Sequence, residues 1–220
     1  MKVYPFSNFP PIPDNNDKVP VIKLKGDRLN DALFSNDASF DWLYPEHLQL
    51  LSLKHWTPLA VARKAAEFLA EPGARVLDIG SGIGKFCLAG GHRFPETYFY
   101  GVEQRHELIC LAEEAKGYTR LSNVNFIHAN VTQINFKEFD HFYFYNSFYE
   151  NIDPENQIDD TIELSESLYI YYNQYLYTAL NKTAPGTRLV TFHSSEQEVS
   201  PGFRLSATSC NGLMKMWIKE

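Results

Sequence analysis

The chain has 220 residues, 44 % hydrophobic and 15 % aromatic, with 20 basic against 27 acidic side chains and a formal charge of −7. This is the composition of a globular protein with a sizeable core, not of a disordered chain, and the negative balance opposes non-specific attraction to a phosphate backbone. No apolar run approaches the length that spans a bilayer and the opening MKVYPFSNFPPIP has no apolar signal core, so a cytoplasmic protein with no membrane partner is expected.

From Met1 to about Asn30 the chain is rich in proline (Pro5, Pro10, Pro11, Pro13, Pro20) and has no sustained periodicity. It reads as an extended arm with a short strand at 19–25, lying along the core or on a partner subunit and so offering a means of oligomerisation. In DWLYPEHLQLLSLKHW, Asp41 to Trp56, the spacing of Leu43, Leu48 and Leu51 predicts one short helix from near Pro45. His55-Trp56-Thr57-Pro58 predicts a helix start, with Thr57 as N-cap, Pro58 in the first helical position and a helix over 59–70 ended by Glu71-Pro72-Gly73.

ARVLDIGSGIG, Ala74 to Gly84, is the stretch that decides the reading. Val76, Leu77 and Ile79 are the β-favouring run of a strand buried on both faces, and Asp78 sits near its carboxyl end. Gly80, Gly82 and Gly84 alternate with Ser81 and Ile83, so the backbone can turn sharply and approach a ligand before a helix begins at Lys85. A dinucleotide fingerprint, G-x-G-x-x-G, would need glycine where Lys85 stands, which disfavours a nicotinamide oxidoreductase.

Strands and helices then alternate: helix over 85–93, strand 98–103 closing on Glu103, helix 105–118 with Leu108, Leu111, Ala112 and Ala115 on one face, and strand 124–129. Such alternation gives right-handed crossovers and a parallel sheet. His128 reads as a core histidine more readily than as a catalyst. HFYFY predicts a buried fourth strand, followed by Asn146-Ser147-Phe148-Tyr149 as the turn at its carboxyl end. A long helix is expected over 160–181 with Ile162, Tyr169, Tyr172, Leu176 and Leu180 inward, its tyrosines packing rather than forming a cage. After a strand over 188–193 and a short loop, 203–210 and 213–219 flank Asn211-Gly212, a two-residue hairpin signal. Cys87, Cys110 and Cys210 lack metal-ligand spacing and read as buried thiols.

At D-x-G-x-G-x-G the chain resembles the class I methyltransferases that use S-adenosylmethionine. The resemblance implies a Rossmann-like α/β fold: a seven-stranded, mostly parallel sheet with helices on both faces and a C-terminal antiparallel hairpin. It also implies a methyltransferase domain over 57–220 behind an arm and cap at 1–56. By that resemblance Asp78, Gly80, Ser81, Gly82 and Gly84 form the turn under the methionine and ribose of the cofactor, and Glu103 holds both ribose hydroxyls with Gln104 beside it. A carboxylate there can accept two hydrogen bonds from a vicinal diol. Asn130, followed by Val131, stands where the family often has an acid facing adenine; its amide can accept there and donate to a ring nitrogen. Thr57 is similar to a threonine that touches the methionine end, although capping alone would account for it.

Asn-x-Phe at Asn146 is similar to the Asn-Pro-Pro-aromatic loop of amino methyltransferases and to the Asn-Asn-Phe loop of non-SET histone lysine methyltransferases, without their prolines or second asparagine. The resemblance implies that Asn146, also near the cofactor, and Tyr149 shape the acceptor site, with Glu150 as the nearest general base. The acids Glu150, Asp153, Glu155, Asp159, Asp160, Glu163 and Glu166 run without an intervening Lys or Arg. A solvated face would explain them; they would equally favour a cationic, amine-bearing acceptor over nucleic acid. No His/Asp cluster with ligand spacing supports a metal-assisted hydroxyl acceptor, so a nitrogen on a small molecule or protein side chain is expected. A catalytically inactive protein that binds S-adenosylmethionine and docks on a partner through its arm is the competing reading.

Overall fold

A computed structural model describes residues 26–196 and 199–220, with side chains from position 30 onward. The expected arm and its strand at 19–25 therefore lie outside the described residues, except that 26–30 already belong to a helix, α1 (Gly26–Leu33). Asn30 anchors that helix by donating from its amide to the Thr119 carbonyl, 2.8 Å away.

A short helix α2 (Asp37–Asp41) follows, and where one helix is expected from near Pro45 there are two, α3 (Glu46–Gln49) and α4 (Ser52–His55). Asn36 caps α2 by accepting the Ser39 N–H. Next come α5 (Leu59–Leu69), β1 (Arg75–Ile79), α6 (Lys85–Arg93), β2 (Tyr98–Glu103), α7 (His106–Thr119) and β3 (Val124–His128). The remaining elements are β4 (His141–Phe144), α8 (Glu166–Asn181), β5 (Arg188–Phe192), β6 (Phe203–Ser209) and β7 (Met214–Lys219).

The described residues form one sheet in the order β3-β2-β1-β4-β5-β7-β6, in which β1 to β5 run parallel and β7 lies antiparallel between β5 and β6. The order reverses at β1/β4, and the crevice above the carboxyl ends of those strands is where an open α/β sheet takes its ligand. Alternate strand residues feed two cores. Val76, Tyr143 and Val190 pack with α5 and α6 on one face, while Leu77, Phe142 and Leu189 pack with α8 on the other. Phe34, Phe40, Tyr44 and Leu48 of the cap belong to the first of these cores. Between β3 and β4 the crossover holds two 3-10 turns, Val131–Gln133 and Phe136–Glu138, in place of a helix.

Three boundaries differ from the sequence reading. Pro58, not Thr57, caps α5: the Pro58 carbonyl accepts the Ala62 N–H, and the free Leu59 N–H is taken by Asp37 Oδ1 at 2.9 Å. Helix α8 starts six residues later than position 160, because Ser165 adopts an extended backbone and accepts the Leu168 N–H, while Asp159 and Thr161 are drawn into other contacts. The last hairpin turns through four residues, with Cys210, Asn211 and Gly212 all left-handed (φ 52°, 56° and 85°) and Ser209 opposite Met214.

Candidate active site

The glycine turn is a compact knot whose shape is set by protein neighbours. Gly80, Gly82 and Gly84 have φ of 72°, 53° and 81°, which disfavour any side chain. A Cβ on Gly80 would sit 2.4 Å from Ser147 Cβ, and one on Gly82 would sit 2.6 Å from the Trp56 ring. The sequence suggested that these glycines clear room for a ligand; the space is filled by the loop after β4 and by the indole of the cap. Trp56 is held by donating from Nε1 to the Leu48 carbonyl, and Tyr44 by donating from its hydroxyl to the Ile83 carbonyl.

Around this knot lies a cleft of about 710 Å³, lined by the turn, the ends of β2, β3, β4 and β5, and the cap. The structure brings together in its wall Thr57, Asp78, Gly80, Ser81, Gly82, Glu103, Gln104, Asn130, Val131, Asn146, Tyr149 and Glu150. Gly84 is not among the lining residues; it is the N-cap of α6.

Glu103 ends β2 and is 6 % exposed. Its Oε1 accepts the Arg105 N–H at 2.9 Å and its Oε2 the Gly82 N–H at 3.2 Å. Burial raises its pKa, opposed by those two amides and by the Arg105 charge. Each oxygen retains a lone pair, which suits it to a vicinal diol. Asp78 is deeper and has its carboxyl pushed up to about 8 by burial, with the Cys87 thiol donating to it across 3.7 Å. The Ser81 hydroxyl is buried without a hydrogen-bond partner among the described residues. An orphaned hydroxyl on a residue that lines the cleft with two buried acids is what a polar ligand could complete.

Asn130 caps the turn after β3, accepting from Thr132 N and Oγ1 at 3.0 and 2.8 Å. Its Nδ2 donates to Gln104 Oε1 and to the Tyr172 hydroxyl at 3.1 and 2.8 Å. The Thr57 hydroxyl is 3.1 Å from that of Tyr143, so its first partner is in the core beneath the cleft.

On the acceptor side, Asn146 follows β4 with φ 38°, a left-handed backbone on a residue that is not glycine, and its side chain makes no hydrogen bond among the described residues. Backbone outliers of this kind gather at functional sites. Tyr149, exposed, starts the next 3-10 turn. Glu150, expected as a general base, has both oxygens on the Arg105 guanidinium at 2.7 and 3.0 Å, so the geometry makes it an anchor.

Several lining residues escaped the sequence reading, Arg105, His193, His55 and Lys54 among them. His193, just past β5, has φ 56° and packs its ring 5.7 Å from Tyr145; the positive φ is invisible in a strand-end histidine. His55 on α4 has its pKa lowered chiefly by burial. Lys54 bridges to Asn156 Oδ1 at 2.5 Å, joining the cap to the segment after Asn146. Its proximity could not be read from a separation of 102 residues.

A mostly parallel sheet of this order, with a buried acid beside a glycine turn, takes its ligand above the strand ends, and comparison with known proteins narrows the class. Residues 76–164 match the family model described as a methyltransferase domain. A tRNA (guanine-N(7)-)-methyltransferase of Prochlorococcus marinus (strain NATL1A) is 31 % identical over 86 residues, which are 39 % of this chain and 40 % of that protein. The chain therefore matches well under half the length of that curated relative. Among solved structures, TrmN from Thermus thermophilus superposes with a TM-score of 0.53 at 22 % identity, covering 76 % of this chain and 49 % of that one. An RNA methyltransferase from Salinibacter ruber in complex with S-adenosyl-L-homocysteine gives 0.52 at 18 % identity, over 74 % and 91 %. Residues 76–164 are thus similar to a methyltransferase domain, the described residues share the fold of those two structures, and the cleft lies above the carboxyl ends of the strands, where such a sheet takes its ligand. Among the described residues no helix is long and apolar enough to cross a membrane.

Proposed function

We propose that the protein transfers a methyl group from S-adenosylmethionine to a nitrogen of a small molecule or protein side chain, in the cytoplasm, through a domain over 57–220 capped by 1–56. The observation that carries this reading is Asn146, strained at the carboxyl end of β4 with a free amide in the cleft. The residues present fit the cofactor: Glu103 for its ribose hydroxyls, Asp78 and Ser81 for polar groups over the glycine turn, and Val131 with the Asn130 turn for the base. When bound, S-adenosylmethionine supplies a methyl carbon already activated on a sulfonium.

What remains for the chain is to orient the acceptor in line, exclude water and receive a proton. Asn146 Oδ1 accepts from the acceptor N–H, Tyr149 covers the outer side, and the Lys54–Asn156 contact roofs the cleft. An ammonium acceptor, with a pKa near ~10.4, must shed its proton first. His55 and His193, the latter beside Tyr145, both line the cleft and offer imidazole nitrogens to it.

A nucleobase of RNA is the second reading, favoured by the likeness to a tRNA methyltransferase and opposed by the net charge of −7 and by Glu150 and Asp153 in the cleft wall. An inactive, cofactor-binding partner protein is the third. Labelled S-adenosylmethionine incubated with amine, protein and RNA pools separates all three. Asn146→Ala and Asn146→Gly should both abolish transfer while leaving cofactor affinity nearly unchanged. Turnover in the glycine variant, which keeps the backbone and loses the amide, would remove Asn146 from the mechanism.

A further inference from the structure

Arg105 is the second residue after β2, and it is only 3 % exposed. Its backbone N–H holds Glu103 Oε1, while its guanidinium forks both oxygens of Glu150 and its Nε reaches Asp159 Oδ1 at 2.9 Å. Around that one cation the chain from Glu150 to Thr161 is wound. Glu150 Oε2 also accepts the Ile158 N–H, and Asp159 Oδ1 accepts both the backbone and the hydroxyl of Thr161. The segment has only two 3-10 turns of its own, so little backbone pairing holds its course. Among the described residues, the ion pairs made by the acids between positions 150 and 166 are the two with Arg105.

We propose that Arg105 is a positioning residue that couples the ribose end of the cofactor cleft to the acceptor loop, so that filling the cleft at Glu103 orders the segment that carries Tyr149 and Glu150. The inference rests on the reading of the cleft as a site for S-adenosylmethionine. Its physical basis is that one residue makes both contacts. The Glu103 carboxylate that faces the ribose is the same group that fixes the Arg105 backbone, and a shift there moves the guanidinium to which both acids are bound. A fork of two parallel N–H bonds transmits orientation as well as charge, which a lysine ammonium in the same place would not. Coupling of this kind is reciprocal: an ordered segment must in turn strengthen the cofactor's hold.

The test is hydrogen exchange with and without S-adenosylhomocysteine, alongside calorimetry. In the wild type the ligand should slow exchange both at the glycine turn and across positions 149–163. In Arg105→Lys the glycine turn should still be protected, protection across 149–163 should vanish, and affinity should fall about tenfold, within the usual span of coupling energies. Thermal melting checks that the variant is folded. Should it not fold, Glu150→Gln with Asp159→Asn leaves the Arg105 backbone in place and must lose the same protection. If the wild type binds no S-adenosylhomocysteine, both the coupling and the reading of the cleft fall. If it binds and protects the glycine turn, but 149–163 does not respond or responds equally in the variants, the coupling alone is refuted.

Discussion

Lys85 Nζ lies 2.7 Å from Asp41 Oδ1, and the same ammonium reaches Asp37 Oδ1, also at 2.7 Å, and the Phe40 ring. This buried cation at the start of α6 is where a dinucleotide fingerprint needs glycine. Its stem and charge instead bind the helices of the cap down onto the base of the cleft. Asp37 Oδ1 accepts the Leu59 N–H as well, so one carboxylate closes the N-terminus of α5 and neutralises Lys85.

Lys85→Met should therefore destabilise the protein by about 3–5 kcal/mol, the usual result of leaving a buried partner charge uncompensated. Asp37→Asn, at a half-exposed carboxylate that Asp41 can back up, should cost far less. Urea denaturation of the two variants measures the difference, and equal losses would contradict this account.

Glu103→Gln keeps the size of the side chain and presents a donor to one of two backbone N–H groups that now find acceptors. On the proposed reading it also loses a charged acceptor for the ribose, and hydrogen bonds to charged groups are worth roughly 1.5–3 kcal/mol each. Affinity for S-adenosylhomocysteine should drop at least about tenfold by calorimetry. Unchanged affinity would place the ribose elsewhere.

Asp78 makes stability depend on pH. Its carboxyl titrates near 8 in the folded protein, because burial and the nearby Glu103 charge outweigh the Cys87 hydrogen bond, against about 3.9 in an unfolded chain. Between those values the folded state keeps a proton that the unfolded state has lost, so stability contributed by the neutral acid declines as pH rises and levels off above the folded pKa. Asp78→Asn retains an oxygen for the thiol and does not titrate. Its advantage over the wild type should grow from about pH 5 to about pH 8, by at most about 1.4 kcal/mol per unit. Parallel curves in urea would mean that Asp78 is ionised throughout.

Gly82→Ala should disturb the glycine turn twice, through φ 53° and through contact with the Trp56 ring at 2.6 Å. A cost of about 1–3 kcal/mol is expected from overpacking, with weaker cofactor binding. Trp56→Leu in the same chain frees the space and should recover part of that loss. No recovery in the double variant would leave the backbone angle as the whole cause.

The strands, the glycine turn and the order of elements could be read from residue pattern because they obey local rules: continuous apolar runs for buried strands and a cap or glycine at helix ends. The acid closing β2 was legible for the same reason. What was hidden lies where tertiary contacts overrule local preference. Asp160 begins a helical pattern, yet Asp159 turns to Arg105 and Ser165 supplies the cap, which delays α8. Glu150 looked free in sequence because its cation is 45 residues away. His193 gave no sign at all, since neither its backbone angle nor its place beside Tyr145 follows from neighbouring residues.

The border strand β6 leaves Arg204 to Thr208 facing solvent, and its register against β7 slips between Leu205 and Ala207. An unpaired row of amides and carbonyls in regular spacing would template another extended chain; a kink in that row spoils the spacing. Arg204, paired with Glu220 at 2.8 Å, adds charge at the same edge. Among the described residues this edge thus carries its own break against fibre-like growth, three strands away from β4 and the cleft above it.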